Sequence, residues 1–137
     1  KENSKLEARN SKQIRMAETK ETSKRYDLEE RTFEFAKNVR RFVKGLPRTI
    51  TNQEDTRQLV RASGSVGANY IEANESLSKK DFVMRIKISR KEAKESRYWL
   101  RLLDTGGQEL IDNTRAALIQ EATELMNIFG AIVRKSE

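Results

Sequence analysis

Ser63-Gly-Ser-Val-Gly-Ala-Asn-Tyr-Ile-Glu-Ala73, then Asn-Glu-Ser-Leu-Ser78, then Lys79-Lys-Asp-Phe-Val-Met-Arg-Ile-Lys-Ile-Ser-Arg-Lys-Glu-Ala-Lys-Glu-Ser-Arg-Tyr-Trp-Leu-Arg-Leu-Leu103 read as two long helices joined by a short polar link. At about 100° per residue, Phe82, Ile86, Ser89, Ala93, Ser96, Leu100 and Leu103 fall on one stripe of the second helix, at steps of four and three. That stripe faces a core. The neighbouring sector collects Lys80, Lys87, Arg90, Lys91, Lys94, Arg97 and Arg101, with Tyr98 among them. The remaining sector holds Ile88, Trp99 and Leu102 beside Glu92 and Glu95. One helix thus offers a core face, a polyanion face and a partner face.

The first helix of the pair is lean in side-chain volume. Its stripe runs through Leu59, Ala62 or Ser63, Val66, Asn69 or Tyr70, and Ala73. Gly64 and Gly67 inside a helix each cost roughly 1 kcal/mol relative to Ala, so a close approach by a neighbouring backbone is the expected compensation. Asn69, on or beside the apolar face, needs hydrogen-bond partners there and reads as a register-setting polar residue of the core.

Working outward, Tyr26 to Lys44 form a further helix, with Leu28, Thr32, Phe35, Val39 and Phe42 on its apolar face and Phe33, Ala36 and Val43 widening it. Gly45-Leu46-Pro47 ends it, glycine suiting a left-handed cap and proline being unable to continue the ladder. Thr51 and Glu54 have capping-box spacing for the next helix, and Ser78 is the expected N-cap of the basic one, with Asp81 in its first turn. Gly106-Gly107 makes a turn. A last helix follows, with Leu118, Ala122, Leu125, Phe129, Ile132 and Val133 on its apolar face and Leu110 and Ile111 opening it. The expected architecture is all-α: an antiparallel up-and-down four-helix bundle over residues 26–137, with helices at about 26–44, 52–76, 79–104 and 108–133. Residues 1–25 hold eight basic and four acidic side chains without a sustained apolar stripe. They form a charged arm, either a solvated tail or a segment ordered on a partner.

Composition narrows the function classes. The chain of 137 residues is one domain, 36% apolar and 36% charged, with a single Pro and a net charge of +7. With no Cys there is no thiolate nucleophile or disulfide, and with no His the commonest general base and metal ligand are missing. The expectation is a protein without catalytic residues, metal or cofactor. No apolar run approaches the length of a membrane span, so a cytoplasmic protein with no membrane partner is expected. Glu72 and Glu75 have the i, i+3 spacing of di-iron sites, but those sites need histidines. Gly64-Ser65-Val66-Gly67 lacks the following Gly-Lys-Ser and the preceding strand of a phosphate loop.

The excess charge is concentrated. Residues 79–101 carry nine basic and three acidic side chains. Cations recurring every three or four residues can meet successive phosphates along one helix face, and Tyr98 can stack on an unpaired base. The opposing reading is a solvated face, with some cations paired to Glu92 and Glu95. No base-reading motif is present, so recognition of RNA or single-stranded DNA is expected to be phosphate-directed. Ile88, Trp99 and Leu102 are candidates for an oligomer interface, Trp99 foremost, the other reading being an edge of the bundle's own core.

The segment from Val60 to Ala73, the run from Ser76 through Asp81-Phe82, Lys91-Glu92-Ala93 and Tyr98-Trp99-Leu100 together resemble the bacterial four-helix-bundle family encoded in intervening sequences of large-subunit rRNA genes. That family includes the accessory protein of diversity-generating retroelements. The resemblance covers residues 26–135 and leaves out the charged arm; Asn74 stands where a common family form has Gly. It implies a bundle that assembles as a homopentameric ring with a basic surface. For the retroelement members it also implies a role in binding nucleic acid and a reverse transcriptase. For the intervening-sequence members it implies no defined activity.

Overall fold

A computed structural model of the chain describes residues 28–137; the charged arm at 1–25 and the first two residues of the predicted first helix lie outside the described residues. Four helices and no strand occur among the described residues: α1 over residues 28–43, α2 from Ile50 to Asn74, α3 from Lys79 to Leu102 and α4 from Glu109 to Ser136. Residues 32–137 form one compact unit.

Cross-helix contacts fix the directions. Ser89 of α3 lies against Val66 of α2, and Arg85, nearer the start of α3, against Asn69, further along α2. The two helices therefore run antiparallel. On the other side, Arg97 reaches Thr123 and Lys87 reaches Glu137, so α3 and α4 also run antiparallel. Tyr70 of α2 meets Phe129 of α4 across the interior, with ring centroids 5.8 Å apart. Gly67 explains the lean α2 stripe: a Cβ there would lie 2.8 Å from Thr32 Oγ1 and 3.1 Å from Thr32 Cβ, so only glycine admits α1 at this separation.

The predicted stripes are the observed core. Leu28, Thr32, Phe35, Val39 and Phe42 of α1 are buried, as are Leu59, Ala62, Ser63, Val66, Gly67, Tyr70 and Ala73 of α2. From α3 come Ile86, Ser89, Ala93, Ser96 and Leu100, with Leu103 just beyond its end; α4 adds Leu118, Ala122, Leu125, Phe129 and Val133. Each fully buried Leu, Ile, Val or Phe contributes roughly 1.5–3 kcal/mol. Phe82 and Ile132 sit at the margin, half-buried, and Leu110 is 81% exposed because α4 begins beyond the reach of the core.

Several details depart from expectation. α2 starts at Ile50, capped by Thr49, whose hydroxyl accepts from Asn52 N at 3.1 Å; the Thr51–Glu54 capping box does not form. Gly45 is not left-handed: α1 closes in a tight turn, Gly45 N donating to Phe42 O and Leu46 N to Val43 O. The left-handed glycines are Gly106 and Gly107, at φ 70° and 71°. Ser78 caps α3 as expected, accepting from Asp81 N. α4 is long and apolar enough to cross a membrane by length and composition alone, which corrects the expectation that no run approaches such a span. Its apolar face closes the bundle core, as the burial of Leu118, Ala122, Leu125, Phe129 and Val133 shows.

At one end of the bundle a buried side chain ties two loops together. Asn52 Nδ2 donates to Pro47 O at 2.9 Å and to Asp104 O at 2.8 Å, while its Oδ1 accepts from Asp104 N at 2.9 Å. The α1–α2 and α3–α4 connections are thereby joined through one amide. Behind them Asp112 accepts from Thr105 Oγ1 and, at 3.2 Å, from Arg115 Nη2, and Arg115 Nη1 donates to Leu103 O, which holds the start of α4.

Candidate nucleic-acid interface

α3 has two polar flanks of opposite character, one on each side of its buried stripe. On the side of α2 the polar groups Ser89, Asn69, Arg85 and Arg61 have partners across the seam. Ser89 Oγ donates to Val66 O at 3.0 Å. Asn69 Nδ2 donates to Ser65 O at 2.8 Å, and its Oδ1 accepts from Arg85 Nη1 at 3.1 Å. Asn69 is therefore a half-buried link between α2 and α3 and not a residue of the core interior. Arg61 of α2 lies 3.5 Å from Glu92 Oε2 and 3.4 Å from Glu95 Oε2.

Glu92, which the helical projection placed on the outer sector, is buried at 5% exposure. Its Oε2 has no hydrogen-bond partner among the described residues. Desolvation, reinforced by the neighbouring Glu95 charge, holds its carboxyl above the usual carboxylate range, and Arg61 and Lys91 offset part of that rise.

The other flank turns toward α4 and outward. Lys80, Arg90, Lys91, Lys94 and Arg101 are exposed and make no ion pair with a described residue. From Lys80 to Arg101 the helix rises about 31 Å; Arg90, Lys91, Lys94 and Arg101 form a ridge along its last three turns, and Lys80 extends it at a distance of about 15 Å. Arg90 is also packed: its Cδ lies 3.8 Å from where a Cβ on Gly130 would be, so the absent side chain lets the arginine stem rest on α4. Two predicted members differ. Lys87 Nζ pairs with Glu137 at 3.0 Å, and Arg97 is half-buried with Nη1 3.5 Å from Thr123 Oγ1. Tyr98 is 55% exposed beside the ridge and meets Trp99 edge-on at 5.1 Å. Of the proposed contact residues for a second copy, Ile88 and Trp99 are half-buried and Leu102 is 50% exposed.

The sequence matches the family described as 23S rRNA-intervening sequence protein over residues 24–131. The chain belongs to that family. A solved structure from Bacteroides thetaiotaomicron, a protein of unknown function from the S23 ribosomal protein family, is similar to this intervening-sequence protein. The TM-score is 0.65 and the sequence identity 26%, over 77% of this chain and 96% of that one. No curated protein matches the sequence.

Reading the sequence of this intervening-sequence protein did not single out Arg61, Arg85 or Asn52. Each takes its partners from another helix or loop, and no local spacing signals that. A further cluster, Lys44, Arg48 and Arg57 around the α1–α2 connection, was hidden because the acidic residues at the start of α1 dilute the first two and Glu54 and Asp55 stand beside the third in sequence.

Proposed function

We propose that the protein is a non-enzymatic, homo-oligomeric, cytoplasmic nucleic-acid-binding protein that takes RNA or single-stranded DNA through phosphates along the outward face of α3. The observation that carries this reading is the ridge of Lys80, Arg90, Lys91, Lys94 and Arg101, exposed and unpaired within the described chain, with Tyr98 exposed beside it. Structural ion pairs absorb the charges on the opposite flank, so the unpaired ridge is not a general consequence of a charged surface. Each neutralised phosphate releases a counterion, and the affinity of a ridge that neutralises about five phosphates falls with salt at a log–log slope of about −3.5 on a single strand.

A second reading, a protein–protein module without a nucleic-acid role, is favoured by the half-exposed aromatic surface of Trp99 next to Ile88 and Leu102. The two readings meet in a ring of copies buried through those residues, with the ridges displayed outside; the homopentamer implied by the resemblance is the assembly proposed. The family match is to the 23S rRNA-intervening sequence protein family, and a role as accessory factor to a reverse transcriptase is the narrower form of the nucleic-acid reading.

Light scattering on nuclease-treated protein, with a salt titration of binding to an unstructured RNA, tests both. A pentamer with a steep negative slope is the expected result. Salt-independent affinity, or none at low salt, rejects phosphate binding. If Trp99→Ala leaves the assembly intact, the interface assignment fails.

A further inference from the structure

The α1–α2 connection holds a second basic feature that shares no residue with α3. A cleft of about 330 Å³ opens between the end of α1 and the first two turns of α2. Its rim carries Lys44, Arg48 and Arg57, all exposed and none paired with a described residue. No acidic residue lines it and the first turn of α2 contains none, so three cations and the positive end of a helix stand at one opening, with Glu54 and Asp55 following in the second turn outside the lining. One wall is apolar, formed by Leu46 and Pro47.

The cleft is built on a fixed frame. Pro47 O accepts from Asn52 Nδ2 at 2.9 Å and from Thr49 N at 3.1 Å, and Asn52 is itself tied to Asp104. On the far side, a Cβ on Gly106 would approach Pro47 Cγ to 3.1 Å, so the left-handed turn after α3 backs the proline closely. Arg48 thus leaves a loop pinned from two directions, which lowers the ordering cost of binding. The volume is at the lower end for ligand sites, suited to one small group and not to a strand passing through.

We propose that this cleft binds a phosphomonoester borne by a nucleoside, with Lys44, Arg48 and Arg57 on the phosphate and the Leu46–Pro47 wall against the nucleoside. The same chemistry is presented by a free nucleotide and by the phosphorylated 5′ end of a strand.

Isothermal titration with adenosine 5′-monophosphate, adenosine and inorganic phosphate tests the site. The monophosphate is expected to bind more tightly than either fragment. Arg48→Gln with Arg57→Gln is expected to weaken it at least about tenfold, since charge-assisted bonds to phosphate are lost. Both residues are exposed, so an unchanged thermal midpoint accompanies the loss; Lys44→Gln, also exposed, gives an independent variant. Charge reversal on the α3 ridge, Lys91→Glu/Lys94→Glu/Arg101→Glu, is expected to leave monophosphate binding intact, which separates this site from the ridge. Tighter binding of 5′-phosphorylated than of 5′-hydroxyl RNA by the ridge variant identifies a strand end as the source; equal binding identifies the free nucleotide. Monophosphate affinity that is absent at millimolar concentration, or indifferent to the arginine substitutions, overturns the proposal.

Discussion

The two flanks of α3 carry the same kinds of side chain and use them differently. Toward α2, Arg85 and Arg61 are consumed by structure: one holds Asn69, the other sits between Glu92 and Glu95. Away from α2, Lys80, Arg90, Lys91, Lys94 and Arg101 make no ion pair with a described residue. Mutual repulsion of such a row weakens folding, and its alignment along about six turns of helix gives a polyanion a binding face. A cation count cannot separate the flanks. The positions of the carboxylates do: Glu92 and Glu95 lie toward α2, and on the other flank Glu137 engages Lys87 alone.

Substitutions that remove partnered groups should cost stability, and those on the ridge should not. The largest effect is expected at Asn52, which anchors the chain where it leaves α3. Asn52→Leu strands Asp104 N and O and weakens the hold on Pro47 O, costing about 3 kcal/mol, as measured by urea denaturation. Next comes Arg61→Met, which leaves the buried Glu92 charge without its α2 partner. Because Arg61 is itself 55% exposed, the cost should be about 1–2 kcal/mol, well below that of breaking a fully buried pair. Asn69→Ala removes the acceptor of Arg85 and should cost about 1 kcal/mol.

The smallest change concerns pH. Glu92 has its folded-state pKa raised above the unfolded value, so the native state retains the proton to higher pH. Its contribution to stability therefore falls as pH rises from the ordinary carboxylate range through the raised value, and is regained on acidification. Glu92→Gln should flatten that part of the stability–pH curve with a change of under about 1 kcal/mol at neutral pH. An unchanged curve would mean that Glu92 titrates normally and that its burial has no electrostatic consequence.

The fold was legible because its signal is periodic. The four-and-three spacing of Ile86, Ser89, Ala93, Ser96 and Leu100, and of Leu118, Ala122, Leu125 and Phe129, is written in local sequence and reappears as the fully or nearly fully buried interior. Caps were legible where side chain and helix start are adjacent, as at Ser78, and misplaced at Thr51 because Thr49, two residues earlier, offers an equivalent hydroxyl. The ridge was legible as a composition but not as a working surface. Whether Lys87 is paired depends on Glu137, which lies fifty residues along the chain from it and beside it in space. For the same reason Glu92 read as an outward acid: its burial and its attachment to Arg61 come from the packing of α2 on α3. Gly67 was read as a close-approach residue, and its neighbour proved to be Thr32.

The most direct test of the account places both flanks in one experiment: RNA affinity at low salt and urea stability for Lys91→Glu/Lys94→Glu/Arg101→Glu beside Arg61→Met. The account predicts that the triple variant loses more than about tenfold in affinity, keeps its oligomeric state and shifts stability by no more than about 0.5 kcal/mol, while Arg61→Met loses stability and binds RNA as the native protein does. Wild-type affinity in the triple variant would contradict the assignment of the α3 ridge as the nucleic-acid surface.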